Sequence, residues 1–322
     1  MPGMGHPLIE LEDVRAAHQR IADGIVRTPL LPLKADLGRR VILKPESLQR
    51  TGSFKIRGAS NKIRAHADDA RRRGVIAYSS GNHAQGVALA AATIGARATV
   101  VTLDQALAHK VEATRGYGAE VVFGGTTSLA IRERAEQLAA EHDLLLIPPF
   151  DDPELIAGQG TCGLEIAEDL PEVGTVLVPI GGGGLISGVA TVIRALCPHA
   201  TIIGVEPVGA CAAMRSRQAG RVVTLETVDT IADGLKPLAI SERTFAHMQA
   251  RIDDIVVVTD VEILEATRHL LEREKLVVEP SGAATLAALM HGRVPTAREP
   301  IVAILSGGNA DLTALGSATS PA

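Results

Sequence analysis

Short runs of β-branched and aliphatic residues alternate along this chain with longer alanine-rich stretches, and no other feature narrows the fold as far. The runs are RVILK (40–44), VIAYS (75–79), ATVVTL (98–103), EVVFG (120–124), LLLIP (144–148), TVLVPI (175–180), TIIGVEP (201–207), DIVVVT (254–259) and PIVAILS (300–306). Each has the length and residue types of a strand, and the stretches between most of them are long enough for helices. Strand and helix in alternation predict βαβ units, hence an α/β fold built on parallel sheets. Ahead of the first run, Leu11, Val14, His18 and Ile21 keep a helical period, which predicts an N-terminal helix starting near Glu10.

A chain of 322 residues suits one large α/β unit or two modest domains. No repeat or long linker divides it, and the strongest break is PPFDDP (148–153). The expected division is a small domain of residues 53–147, with residues 1–52 and 148–322 forming a larger one. A cleft between them, beyond the carboxyl ends of the strands, is the natural ligand site of open parallel sheets.

Composition removes several function classes. The apolar fraction of 46% is ample for a core, but aromatics are 2% with no Trp, so the stacking surfaces of a nucleic-acid binder are not expected. A net charge of −5 with interspersed signs gives no basic footprint for polyanions. Neither a signal-peptide pattern at the N-terminus nor an apolar run of membrane-spanning length is found. Cys162, Cys197 and Cys211 are odd in number and lack CxxC spacing, so buried thiols in a reducing cytoplasm are expected. The ten histidines show no metal-ligand pattern, and the run DDARRR (68–73) reads as solvated surface.

Four segments could carry chemistry. In VLVPIGGGGLISGVATVIRAL (176–196) a strand ends, four glycines follow and a helix begins. Such a run suits a backbone that approaches a phosphate closely, with the positive end of the helix dipole behind it. The third glycine of a dinucleotide fingerprint is missing, as is the lysine of a nucleotide-triphosphate loop, which leaves a smaller phosphorylated ligand. In YSSGNHAQGVALAAATIG (78–95) Asn82 could cap the following helix, but Ser79, Ser80, Asn82 and His83 also form a carboxylate-binding corner. ILSGGNADL (304–312) places Ser306 at a strand end. TGSFKIRGAS (51–60) holds Lys55, and a lysine acting as nucleophile needs a partly desolvated pocket. A phosphate loop with such a lysine is the minimal kit for pyridoxal phosphate.

GSFKIRGA, SSGNHAQGVA, GGGGLISG, IADGLKP, VEPSGAA and LSGGN, in that order and spacing from Leu30 to Asp311, resemble the serine/threonine dehydratase and serine racemase family of pyridoxal-phosphate enzymes, fold type II. The resemblance implies two open parallel-sheet α/β domains, similar to the tryptophan synthase β subunit, with the active site in the cleft. It implies that Lys55 is the Schiff-base lysine, that Phe54 packs beside it and that Asn82 bonds the ring hydroxyl. Gly181, Gly182, Gly183, Gly184 and Leu185 would cradle the phosphate, and Ser306 would face the ring nitrogen. Ser80 takes the position of a proton donor on the face opposite Lys55.

The chemistry implied is elimination from L-serine or L-threonine, giving a 2-oxo acid and ammonia, with serine racemisation as a companion activity. A neutral Ser306 makes the ring a weaker electron sink than a carboxylate would, which favours rapid β-elimination over transamination. A homodimer is the oligomer the resemblance implies. Two departures stand out. The racemase-type metal site uses an acidic residue six positions after the glutamate of GVEP, but Glu206 is here followed by Ala212, so no metal is expected. The long allosteric tail of biosynthetic threonine dehydratases is missing, so feedback by isoleucine is not expected. A lyase for another β-hydroxy amino acid, such as 3-hydroxyaspartate or phenylserine, is the nearest alternative. A non-catalytic amino-acid sensor is a further one, and Lys55 argues against it.

Overall fold

The structure, a computed structural model, describes residues 7–311. Helix α1 (Leu11–Ile21) begins where its apolar period does, with the Asp13 carboxylate accepting the Glu10 N–H at 2.8 Å. After it come β1 (Leu31–Pro32), β2 (Val41–Pro45), α2 (Lys55–Ala65), α3 (Ala67–Arg73), β3 (Val75–Tyr78), α4 (Asn82–Thr93), β4 (Ala98–Thr102), α5 (Ala108–Gly116), β5 (Glu120–Phe123), α6 (Ser128–Glu141) and β6 (Leu145–Leu146). The remainder is α7 (Pro153–Asp169), β7 (Thr175–Pro179), α8 (Gly184–Leu196), β8 (Thr201–Pro207), α9 (Ala212–Ala219), α10 (Glu242–Arg251), β9 (Asp254–Val258), α11 (Asp260–His269), α12 (Pro280–Met290) and β10 (Ile301–Leu305).

These strands form two sheets. One has six strands in the order β1-β2-β10-β7-β8-β9, and the other has four in the order β5-β4-β3-β6. Every pairing is parallel except that of β1, which runs antiparallel to β2 through Leu31 opposite Leu43. The sequence gives little sign of this edge pair, because two residues ending in a proline leave no run to detect and only an edge tolerates Pro32.

The central strands are buried on both faces, as parallel sheets require, and their alternate residues feed two different cores. Val176, Val178, Val302 and Ile304 face a cluster with α1, α7 and α8, including Val14, Ile156 and Val189. Leu177, Ala303, Leu305 and Leu43 face the opposite cluster with α11 and α12, including Ile263 and Leu286. The four-stranded sheet repeats the device: Val75, Ala77 and Val100 pack under α2 and α4, while Ile76 and Val101 pack under α6.

With so few aromatics, the helices fill space by approaching closely. A Cβ on Gly158 of α7 would lie 2.6 Å from the Gly58 Cα of α2, and one on Gly188 of α8 would lie 2.5 Å from the Gly160 amide of α7. Glycine at these crossings lets α7 touch α2 on one side and α8 on the other.

Candidate active site

The stretch TGSFK is tied to the end of β10 before α2 begins. Ser53 forms an isolated antiparallel bridge to Gly307, and the Phe54 N–H donates to the Ser306 carbonyl at 3.1 Å. That pairing sets Lys55, the first residue of α2, beside the carboxyl end of a strand from the six-stranded sheet. The Lys55 Nζ donates to the Pro149 carbonyl at 2.6 Å and lies 5.2 Å from the Phe54 ring centroid. Among the described residues no carboxylate pairs with it, and loss of hydration on burial lowers its pKa to about 8.

Two residues further along α2, Arg57 is fully buried in a set of four compensating charges. Its guanidinium donates to both Glu46 oxygens at 2.7 and 2.8 Å and to both Glu165 oxygens at 2.7 and 2.9 Å. Lys44 Nζ donates to Glu165 at 2.5 Å and to the Thr28 carbonyl at 2.6 Å. Burial works against the Glu46 carboxylate, but Arg57 and Lys44 outweigh it and hold its pKa below the usual range. The first turn of α2 is thereby pinned to the residues following β2 and to α7.

The glycine run lies between β7 and α8. Gly183 has φ +89° and a left-handed conformation, immediately before α8 begins at Gly184. A Cβ on Gly182 would meet the Phe150 ring, one on Gly181 the Gly234 carbonyl at 2.7 Å, and one on Gly183 the Thr244 Cβ at 2.9 Å. Thr244 Oγ1 also donates to the Gly182 carbonyl at 2.9 Å. Among the described residues, the N–H groups of Gly182, Gly183, Gly184 and Leu185 have no acceptor within the chain. The glycines are therefore required by the packing behind the loop, while its amides stay unclaimed in front.

Helix α4 starts at Asn82 itself, so Asn82 is not its cap; Gly81 holds the capping position, with no side-chain cap. Asn82 is engaged elsewhere: its Nδ2 donates to Glu279 Oε1 at 2.5 Å, and its Oδ1 accepts from Asn309 Nδ2 at 2.7 Å. Glu279 precedes α12 and is buried, which pushes its pKa up to about 7. Neither Glu279 nor Asn309 was singled out in the sequence, although both fall inside the motifs VEPSGAA and LSGGN.

The other residues of the loop after β3 make local contacts. Ser79 Oγ accepts the Gly81 N–H at 3.2 Å, and Ser80 Oγ accepts from Thr102 Oγ1 at 2.9 Å and the Leu103 N–H at 3.1 Å. His83 is buried with Nε2 on the Ile147 carbonyl at 2.9 Å. Burial, reinforced by the nearby Lys55 charge, lowers its pKa to about 3, so the ring is neutral and Nε2 carries the hydrogen. Lys110 of α5 reaches across to Asp233 at 3.2 Å, joining the IADGLKP segment to that helix.

An enclosed amine on one element and a row of free amides at a strand–helix turn on another suit an aldehyde that carries a phosphate. The family of pyridoxal-phosphate dependent enzymes matches residues 21–307. The chain belongs to this family. Its cofactor is pyridoxal phosphate, and the residues present fit it: an amine of lowered pKa without a counter-ion, and phosphate donors with no competing acceptor.

Among relatives of this pyridoxal-phosphate enzyme, the chain is 44% identical to an L-threonine ammonia-lyase from Geobacter sulfurreducens, over 93% of this chain and 75% of that protein. It is 41% identical to an L-threo-3-hydroxyaspartate ammonia-lyase from Saccharomyces cerevisiae, over 93% of each. The solved structure of maize serine racemase superposes with a TM-score of 0.92 at 38% identity, covering 97% of each chain.

At the position where racemase-type enzymes were expected to hold a metal, Glu206 is buried at the end of β8. It accepts the Ala213 and Met214 N–H groups, each at 2.8 Å. Its carboxylate serves the first turn of α9, and burial raises its pKa to about 7 despite these bonds. Cys162 and Cys197 are buried as expected, and Cys211 is only partly so. Among the described residues, no helix is long and apolar enough to cross a membrane.

Proposed function

We propose that this enzyme is an ammonia-lyase acting on L-threonine and L-serine, which releases a 2-oxo acid and ammonia. The observation that carries the reading is Lys55, an enclosed amine of lowered pKa held at the end of β10 beside the neutral Ser306. The relative from Geobacter sulfurreducens, an L-threonine ammonia-lyase, supports the choice of substrate.

When bound, pyridoxal phosphate supplies the electron sink that makes the substrate Cα–H acidic. The Gly181–Leu185 amides would hold the phosphate, Phe54 would pack along the ring, Asn82 would donate to the ring hydroxyl and Ser306 would be the neutral partner of the ring nitrogen. The loop Ser79–Asn82 receives the substrate carboxylate, and His83 supports that loop through Ile147. Lys55 Nζ takes the Cα proton, and the β-hydroxyl departs as water once protonated. The released enamine takes up water and yields the 2-oxo acid and ammonia. Ser80 keeps a hydroxyl hydrogen that it can donate on the opposite face, the requirement for a companion serine racemase activity.

We assign the larger lobe to residues 1–52 and 148–322 and the smaller to 53–147. This division is supported by the strands of the four-stranded sheet lying between residues 75 and 146. A homodimer in a reducing cytoplasm is part of the same reading, and light scattering tests its oligomeric half.

A second reading, 3-hydroxyaspartate as substrate, is supported by the relative from Saccharomyces cerevisiae, an L-threo-3-hydroxyaspartate ammonia-lyase. One experiment decides: 2-oxo acid release across L-threonine, L-serine and L-threo-3-hydroxyaspartate, with Lys55→Ala as control. The control should lose turnover and the visible absorbance of the loaded protein, and full activity in it would end the reading.

A further inference from the structure

We propose that Glu279 and Asn309 are positioning residues that lock the Asn82 carboxamide in one orientation, so that its remaining N–H is kept for the cofactor's ring hydroxyl. The inference rests on the reading of Asn82 as a cofactor contact, and it adds what makes that contact one-way.

An isolated asparagine at this place could present either its oxygen or its nitrogen, and only the nitrogen can serve a phenolic oxygen that accepts. The chain of contacts removes the choice. The Thr51 carbonyl can only accept, and Asn309 Nδ2 donates to it at 2.8 Å. The same nitrogen gives its second hydrogen to Asn82 at 2.7 Å, so the Asn82 atom facing it must be the oxygen. Asn82 Nδ2 then faces Glu279 Oε1 at 2.5 Å and spends one hydrogen there. One hydrogen is left. A main-chain carbonyl at one end and a carboxyl oxygen at the other thus fix the direction of every donor between them.

The site allows little slack. A Cβ on Gly307 would run into Glu279 Oε1 and come within 3.1 Å of Asn82 Nδ2, so only glycine at this position leaves the pair its room. Glu279 makes no side-chain cap to α12, which means its side chain can be replaced without removing a helix cap.

The test uses the full chain, stripped of cofactor and reloaded, and reads the Kd for pyridoxal phosphate and the position of the visible band. Glu279→Leu, which cannot accept, should weaken cofactor binding about tenfold, the worth of roughly one hydrogen bond, and shift the band. Glu279→Gln keeps an acceptor oxygen without the charge and should stay within about twofold of wild type. In an Asn82→Ala background, Glu279→Leu should add nothing. A Gln variant as weak as the Leu variant would mean that charge, not orientation, is what matters, and would overturn the proposal. So would a full additional loss on top of Asn82→Ala. If Asn82→Ala alone binds like wild type, the reading of Asn82 falls and takes this inference with it. Should Glu279→Leu not fold, Asn309→Leu releases the other end and is expected to give the same loss and band shift; wild-type behaviour there would overturn the proposal equally.

Discussion

A Cβ placed on Gly182 would collide with the Phe150 ring, so the second glycine of the run is dictated by an aromatic side chain behind the loop. Phe150 belongs to the break PPFDDP, the segment that also supplies the Pro149 carbonyl to Lys55 and the Asp152 cap to α7. Gly182→Val should therefore displace the loop and weaken cofactor retention, at an overpacking cost of about 1–3 kcal/mol. Adding Phe150→Ala should recover much of that loss. Cofactor titration of the single and double variants checks it, and no recovery would place the conflict on the cofactor side of the loop.

Burial removes water from the Lys55 ammonium and no carboxylate among the described residues replaces it, which lowers its pKa to about 8 in the unloaded protein. A lysine whose pKa is depressed on folding carries a cost fully in force below about pH 8 and relieved as pH rises towards its unfolded value near 10.4. Competitive acylation of the unloaded protein, read by mass spectrometry, should show Lys55 reactivity rising through pH 8 and levelling above it. A midpoint near that of an exposed lysine would show that the amine is hydrated.

Thorough chelation should leave turnover intact. The Glu206 carboxylate is already occupied by two amides of α9, and Ala212 offers no second oxygen side chain. Activity lost with EDTA and restored by Mg²⁺ would contradict this.

Ser80→Ala should abolish D-serine formation while elimination from L-threonine continues, since elimination needs only the Lys55 face for Cα deprotonation. The variant should also lose about 1–3 kcal/mol of stability, because the Leu103 N–H and the Thr102 hydroxyl forfeit their acceptor. Chiral analysis of incubated serine together with thermal unfolding separates the two effects. Equal D-serine production by wild type and variant would remove Ser80 from the acid/base machinery.

The central strand runs were legible because they pack apolar side chains on both faces, and such runs stand out against alanine-rich helices; β5 and β6, at the edges of their sheet, are less buried, and β6 keeps only two residues of the run 144–148. The glycine run and Lys55 were legible because their local composition is costly unless a ligand or a close contact explains it. Asn82 was half legible: its place at a helix start suggested a cap, whereas its partner Glu279 lies 197 positions away and no local pattern reports such a contact. Pro149 contributes a carbonyl oxygen, a group every residue carries, so its role leaves no mark on residue choice. Ser80 was read by position alone, and its bonds to Thr102 and Leu103 depend on how β3 and β4 stand side by side.

The buried set of Lys44, Glu46, Arg57 and Glu165 limits how this protein can change. Two positive and two negative groups cancel, and losing any one strands a partner without water, a penalty of about 3–5 kcal/mol against a typical total stability of about 5–15. Replacing matched members together by apolar residues of similar volume carries no such penalty. Single-step mutational walks through these positions are therefore blocked, while concerted ones stay open. A laboratory evolution campaign that varies one site at a time will find the helix carrying Lys55 immovable at its first turn, and one that varies the four positions jointly will not.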